Sequence, residues 1–77
     1  GASMDTRYAQ VGLLICYYRK LKGKTQEQLA EDVGISRTHM SNIEAIGVET
    51  GVSLDVIFKI ADALEVPIEK LFSFKCK

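Results

Sequence analysis

Residues 25–44 contain two short apolar patterns separated by a glycine, and this arrangement most narrows the folds open to the chain. In the first half, the apolar side chains share one helical face: Leu29, Ala30 and Val33. Thr25 precedes them and Gln28 follows it by three residues, which is the pattern of a capping box at a helix start. Gly34 comes after them, where a helix often ends in a left-handed residue that favours glycine. The pattern predicts a helix that stops at a tight turn.

A second short helix is predicted directly after this turn, with Ser36 as its cap. Its apolar positions are Met40 and Ile43, and Ile35 is expected to fill the corner between the two helices. The opposite face carries one arginine and three short polar side chains: Arg37, Thr38, Ser41 and Asn42. A face that is only solvated would more usually carry Glu and Lys. Side chains of this kind are suited to hydrogen bonding with the edges of nucleic-acid bases.

The length of 77 residues limits the chain to one small domain, and a hydrophobic content of 47% is that of a globular protein. No apolar run approaches the roughly 18–20 residues that a membrane-spanning helix needs. We expect Gly1-Ala2-Ser3, ahead of Met4, to be an expression scar, which leaves residues 4–77 as a single domain. Because the sequence shows no secretory signal, the expected location is cytoplasmic.

The charges balance, since ten basic and ten acidic residues give a formal net charge of zero. This balance counts mildly against nucleic-acid binding, because most stand-alone binders are more basic. The basic residues nevertheless cluster around the start of the two-helix region: Arg19, Lys20, Lys22, Lys24 and Arg37. The acidic residues gather in 44–69, which allows a domain with one basic end.

The sequence offers no cluster of residues that indicates catalysis or metal binding. Cys16 and Cys76 lack metal-ligand spacing, so both are expected to be free thiols. His39 is the single histidine and has no second histidine, acidic cluster or cysteine near it in the sequence. Paired carboxylates, a nucleophile–base set and a phosphate-binding loop are all missing from the pattern. We therefore expect no enzyme activity, metal, cofactor or small-molecule ligand.

Helical periodicity predicts an all-α fold with five helices, at roughly 5–22, 25–33, 36–45, 53–65 and 67–73. The first helix is expected to bury Tyr8, Val11, Leu14 or Ile15, Tyr18 and Leu21. The fourth is expected to bury Leu54, Ile57, Phe58, Ala61 and Leu64. Residues 45–52 have no clear period and no basic residue, which indicates a loop. Its apolar side chains either tuck under the domain or stay exposed for a partner: Ile46, Val48 and Val52.

The fourth predicted helix has an unusually wide apolar arc. Val56, Ile60 and Ala63 extend that arc to roughly 220° at 100° per residue. Such a width indicates a helix central to the fold, a helix that also forms a dimer seam, or both. The C-terminal segment adds more apolar surface than a solvated end needs. The residues that we expect in a homodimer interface are Leu71, Phe72, Phe74 and Ile60.

The sequence contains three characteristic stretches: RKLKGKTQEQLA at 19–30, GISRTHMSNIE at 34–44, and SL followed by ADALEV within 53–66. Together they resemble the Cro/CI (XRE) type of the helix-turn-helix family, over roughly residues 11–72 and in that family's order. The resemblance implies a five-helix lambda-repressor-like domain with its helix-turn-helix at the second and third helices. It also implies a double-stranded DNA operator as the partner of a homodimer.

The resemblance places the third helix in the major groove with its side chains on base edges: Arg37, Thr38, Asn42 and, more weakly, Ser41. Arginine can fork onto guanine, threonine can hydrogen-bond or touch a thymine methyl, and asparagine can pair with adenine. Phosphate contacts are implied around the start of the second helix and the turn: Gln26, Thr25, Lys22, Lys24, Ser36 and His39. Alternatives stay open, since Arg37 could be a solvated side chain, Asn42 could cap a backbone group, and His39 could face the second helix.

The family also pairs an arginine late in the first helix with the glutamate that ends the third. Arg19 and Glu44 occupy these positions, so the resemblance implies a structural pair, with a DNA contact by Arg19 as the alternative. The sequence departs from the family after Glu44, where the connection is longer and offers Glu49 in place of the usual basic residues. Phosphate neutralisation by this connection is therefore expected to be weak.

Two functions are open to such a chain. The first is a sequence-specific DNA-binding transcriptional regulator of the bacterial or phage type, expected to be a dimeric repressor. The second is a protein-interaction or antitoxin-like module on the same fold, which the neutral charge and the apolar loop at 45–52 favour.

Overall fold

A computed structural model of the chain describes residues 6–46 and 51–73, and every secondary-structure element within these ranges is a helix. Four α-helices are followed by one 3₁₀ helix: α1 Thr6–Leu21, α2 Gln26–Val33, α3 Arg37–Ile46, α4 Leu54–Leu64 and the 3₁₀ helix Ile68–Phe72. The predicted all-α class and the order of the five elements are confirmed. The fifth element was expected to be an α-helix and is a 3₁₀ helix, because five residues after Pro67 are too few for more than a tight, short turn of helix.

One hydrophobic core holds these elements together. α1 packs against α3, α4 and the 3₁₀ helix, and α2 packs against α3 and α4. The buried apolar side chains come from every element: Val11, Ile15, Leu29, Ala30, Val33, Met40, Ile43, Ile57, Ile60, Ala61, Leu64 and Leu71. α2 and α3 are too short to be stable alone, so their positions depend on this shared core.

Local hydrogen bonds fix both ends of the turn between α2 and α3. The Gln28 backbone N–H donates to Thr25 Oγ1 at 3.0 Å, and the Thr25 N–H donates to Gln28 Oε1 at 2.9 Å, which completes the predicted capping box. Gly34 ends α2 in the left-handed region at φ 80°, where its N–H donates to the Ala30 carbonyl. Ser36 Oγ accepts from the His39 N–H at 3.0 Å and so caps α3.

α4 buries a narrower face than the sequence predicts. Ile57, Ile60, Ala61 and Leu64 are buried. Leu54 and Phe58 were expected in the core, but they are 65% and 50% exposed. The prediction is wrong for these two residues because α1, α2 and the 3₁₀ helix cover the face of α4 that Ile57 and Ala61 share. Leu54 and Phe58 lie at the edge of that face, where the described residues leave them largely uncovered.

The predicted dimer interface is also wrong at two positions. Ile60 and Leu71 have 0% exposure, so neither has surface to offer a second copy. Both fill the core where α4 meets the 3₁₀ helix and α1. Phe72 is 38% exposed, and Phe74 lies outside the described residues.

α1 follows its predicted pattern only in its middle. Val11 and Ile15 are buried, and Leu14 and Tyr18 pack partly against the core. Tyr8 and Leu21 were expected to be buried but are 39% and 64% exposed, because they lie near the ends of a helix longer than the core that it covers. In the loop between α3 and α4, Val52 packs against the core and Ile46 is exposed, while residues 47–50 lie outside the described part.

Candidate nucleic-acid interface

α3 has one face in the core and one face in solvent. Met40 and Ile43 are fully buried, with 0% exposure, and they anchor the helix on α1 and α2. The other face carries the residues predicted to read bases. Arg37, Thr38 and Asn42 are exposed, and Ser41 is half-buried beside them. The structure therefore brings these four side chains together on one accessible surface.

A buried ion pair fixes the second half of α3 to α1. Arg19 Nε donates to Glu44 Oε2 at 2.6 Å, and Arg19 Nη2 donates to Glu44 Oε1 at 3.1 Å. Arg19 Nη1 also donates to the Lys24 carbonyl at 2.7 Å, which ties the start of α2 into the same contact. The hydrogen bond to Glu44 raises the pKa of Arg19, so the guanidinium stays charged. This two-pronged geometry resists rotation as well as separation of the helices.

Gln26 joins the same network. Its Nε2 donates to Glu44 Oε1 at 2.9 Å, so the side chain predicted to bind a phosphate already holds a carboxylate of α3. Glu44 thus receives donors from α1 and from the first turn of α2. Glu44 accepts three hydrogen bonds in all, two from Arg19 and one from Gln26. Together they set the angle between α2 and α3, and with it the orientation of the exposed face of α3.

The two lysines predicted to bind phosphates are engaged within the domain. Lys22 Nζ pairs with the Glu65 carboxylate, and this contact lowers the pKa of Glu65. Lys24 Nζ pairs with Asp32 at 2.5 Å and lies 3.4 Å from the Ala63 carbonyl. Both lysines therefore point toward the C-terminal ends of α2 and α4.

The remaining predicted phosphate contacts have structural roles as well. The hydroxyls of Thr25 and Ser36 act as helix caps. The hydroxyl of Ser36 accepts its hydrogen bond from the backbone N–H of His39, which is half-buried. Within residues 6–46 and 51–73, no group of His, Cys, Asp and Glu is arranged to hold a metal ion. In the same part of the chain, each helix is too short or too polar to cross a membrane.

The arrangement of α2, the turn and α3 is that of a helix-turn-helix, and known proteins share it. A sequence model of the helix-turn-helix family matches residues 17–71. The chain belongs to this family. The resemblance to the Cro/CI type is thereby confirmed, and the match covers the end of α1, all of α2, α3 and α4, and the 3₁₀ helix as far as Leu71.

Individual members of the helix-turn-helix family agree with this assignment. The HTH-type transcriptional regulator SlrR of Bacillus subtilis is 40% identical over 62 residues, which are 80% of this chain and 40% of SlrR. The crystal structure of the restriction-modification controller protein C.AhdI from Aeromonas hydrophila superposes with a TM-score of 0.80 at 31% identity, covering 88% of this chain and 100% of that one.

The N-terminal DNA-binding domain of SinR from Bacillus subtilis superposes with a TM-score of 0.75 at 30% identity, covering 90% of this chain and 99% of the domain. Among the curated relatives, this chain spans 40% of the length of SlrR and 58% of the length of SinR. The similarity therefore concerns the helix-turn-helix domain of these relatives.

Gly12 contributes to the site although the sequence reasoning did not single it out. A Cβ at this position would lie 2.6 Å from the carbonyl oxygens of both Ile43 and Glu44. α1 therefore approaches the backbone of α3 as closely as glycine permits, next to the Arg19–Glu44 pair. The signal available in the sequence was a glycine inside a helical pattern, which usually has a packing reason.

Proposed function

We propose that this domain is a sequence-specific double-stranded DNA-binding module of a transcriptional regulator. It inserts α3 into the major groove and acts as a repressor when its site overlaps a promoter. The module is not an enzyme, and it acts in the cytoplasm of a prokaryotic cell, where the DNA is.

The observation that carries the proposal is the division of α3 into an anchored face and a polar, exposed face. Arg37, Thr38 and Asn42 lie on the exposed face, and Ser41 lies beside them. These side chains supply the donors and acceptors that base edges in the major groove require. Because Met40 and Ile43 are buried in the core, α3 cannot rotate about its axis. The four polar side chains therefore present a fixed pattern of hydrogen-bond donors and acceptors.

Phosphate contacts in the proposed complex come from the start of α2. Gln26 lies in its first turn, where backbone N–H groups and the helix dipole favour an anion. The Glu44 contact holds one amide hydrogen of Gln26 and leaves the other available to a phosphate oxygen. Thr25 adjoins this point as the cap of α2, and Ser36 and His39 supply further phosphate contacts from the start of α3. Lys22 and Lys24 serve mainly as contacts inside the domain.

The proposed DNA-binding form is a homodimer. A two-fold pair of domains presents two α3 helices to half-sites about one helical turn, roughly 34 Å, apart. Two half-sites also compensate for the weak electrostatic attraction expected from a formal net charge of zero.

Selection of binding sites from a random DNA pool, followed by sequencing, tests the proposal. We expect an enriched, inverted-repeat site with half-sites about 10 base pairs apart. Arg37→Ala should then weaken binding by about 1–3 kcal/mol and relax the preference at one base pair in each half-site. Lys70→Ala removes the same charge from the exposed surface of the 3₁₀ helix and should leave the preference intact. Failure to enrich any sequence, together with no salt-dependent binding to random duplex, would exclude the proposal.

A protein-interaction or antitoxin-like module is the second candidate, and one observation favours it. Leu13, Tyr17 and Leu21 recur every four residues on the outer side of α1 and are 65%, 56% and 64% exposed. Contiguous apolar surface of this kind marks sites of protein contact. If this were the main function, Arg37→Ala would have no effect, whereas Tyr17→Ser would abolish the interaction.

A further inference from the structure

Two apolar stripes remain on the described surface after the core is accounted for. One is on α1 and consists of Leu13, Tyr17 and Leu21. The other, which we call the α4 stripe, consists of Leu54 and Phe58, four residues apart and therefore adjacent on one helical face. The α4 stripe borders the buried face that Ile57, Ala61 and Leu64 form, since at 100° per residue Leu54 lies about 20° and Phe58 about 60° from Ala61.

The charges beside the two stripes differ. α1 has basic residues and no acidic residue within Thr6–Leu21. The α4 stripe is flanked by one charge of each sign, Asp55 and Lys59, which form an ion pair at 3.3 Å. Asp55 and Lys59 are both exposed, and both lie on the same side of the stripe at 100° per residue.

Two-fold symmetry makes the α4 stripe complementary to itself. If two α4 helices pack antiparallel, Leu54 of each copy meets Phe58 of the other. The side of the stripe that carries Asp55 and Lys59 then lies next to the same side of the second copy, whose chain runs in the opposite direction. Each Asp55 consequently lies beside the other copy's Lys59. The same arrangement on α1 would gain no such pair, because α1 offers only positive charge.

We propose that the α4 stripe is the surface through which two copies of this chain associate, with their α4 helices antiparallel. The inference rests on the dimer in the proposed function and replaces Ile60 and Leu71 as its contact residues. Leu54 and Phe58 alone supply less than the about 800 Å² per partner of a standard interface, so the dimer is expected to form at micromolar concentration.

A charge exchange tests the two-fold pairing, with the dimer mass measured by sedimentation velocity without DNA. Asp55→Lys places lysine beside Lys59 of the other copy, and Lys59→Asp places aspartate beside Asp55. Each variant alone should dimerise about tenfold more weakly than the unmodified chain, because two opposite-charge contacts become two like-charge contacts.

Mixing the Asp55→Lys and Lys59→Asp variants shows whether these residues contact each other across the dimer. In a mixed dimer every cross-copy contact is again between opposite charges, so the mixture should associate as tightly as the unmodified chain. The ion pair within each helix remains broken in both variants, and mixing cannot restore it. Recovery on mixing therefore reports contact between copies and not a change in the fold.

Three further variants locate the surface. Leu54→Ser combined with Phe58→Ser should weaken the dimer by at least about a hundredfold while circular dichroism remains that of the unmodified chain. Tyr17→Ser on α1 and Phe72→Ser on the 3₁₀ helix should leave the dimer unchanged. A monomeric unmodified chain at several hundred micromolar, no recovery on mixing, or dissociation by Tyr17→Ser or Phe72→Ser would each overturn the inference. Because no DNA is present, such a result leaves the DNA-binding proposal to its own test.

Discussion

Arg19 is the residue on which three helices converge, because its guanidinium binds Glu44 of α3 and the Lys24 carbonyl ahead of α2. Removing one partner of a buried ion pair leaves the other charge without compensation, at a cost of about 3–5 kcal/mol when burial is complete. This pair lies at the edge of the core, where water screens part of that cost. We expect Arg19→Ala to lower the free energy of unfolding by about 2–3 kcal/mol, as measured by urea denaturation.

The exposed neighbour of Arg19 provides the control. Lys20→Ala removes an equal charge from the solvated side of α1 and should change stability by less than about 0.5 kcal/mol. If Arg19→Ala kept the stability of the unmodified chain and lost only DNA affinity, Arg19 would be a DNA contact and not part of a structural ion pair.

Gly12 sets how closely α1 can approach α3. Alanine within a helix is normally about 1 kcal/mol more favourable than glycine. Here the added methyl would meet two backbone carbonyls at 2.6 Å, and backbone cannot move aside without shifting α3. We expect Gly12→Ala to destabilise the domain by about 2 kcal/mol or more, and to weaken DNA binding beyond what unfolding explains.

A glycine substitution without a clash isolates the steric effect of Gly12→Ala. Gly34 has φ 80° with no atom within 4 Å of its missing Cβ. Gly34→Ala should therefore cost only the strain of a left-handed residue, about 1 kcal/mol. Chemical denaturation of the two variants side by side should rank Gly12→Ala as the more damaging. The opposite order would mean that α3 shifts easily.

Single residues also show how far the sequence could predict the site. Arg19 and Glu44 were matched through the family resemblance, because both lie at characteristic positions of the motif. The family resemblance implies a phosphate contact for Gln26, and a matched motif position could not anticipate its hydrogen bond to Glu44, a carboxylate 18 residues away. A side-chain rotamer depends on what tertiary structure brings near it, and local pattern carries no such information.

At the level of elements, local chemistry determined α2, the turn and the start of α3. The Thr25–Gln28 box, Gly34 and the Ser36 cap all form between residues close in sequence, so their pattern was sufficient to predict them. α4 was harder, because its apolar arc of roughly 220° contains several possible buried faces. Only the positions of α1, α2 and the 3₁₀ helix decide which face is covered.

This choice of face in α4 can be tested with two truncations. Ile60 is completely buried, so Ile60→Ala leaves a cavity and should cost about 2–4 kcal/mol. Leu54 is 65% exposed, so Leu54→Ala should change monomer stability by less than about 0.5 kcal/mol. Thermal and urea unfolding below the dimerisation concentration compare the two. Equal losses would indicate that α4 is rotated about its axis relative to the structure.

At the scale of the whole molecule, the charges are arranged to stabilise the domain more than to attract DNA. The formal net charge is zero, and the Lys22–Glu65 and Lys24–Asp32 pairs neutralise two of the lysines nearest to α2. Each phosphate that a protein neutralises steepens the plot of log K against log salt by about 0.9. We therefore expect a shallow slope, about −2 to −4 per dimer, where strongly electrostatic repressors approach about −10.

Variants of the Lys22–Glu65 pair make this last prediction specific. Lys22→Ala should leave the salt slope unchanged, because Glu65 already neutralises that lysine. Glu65→Gln removes the acid and frees Lys22 for a phosphate, so the slope should steepen by about 0.9 for each domain bound. Fluorescence anisotropy with a labelled duplex between 50 and 200 mM salt, roughly the range over which such slopes are resolved, measures both variants. A slope that flattens in Lys22→Ala would mean that Lys22 leaves Glu65 and binds the DNA backbone in the complex.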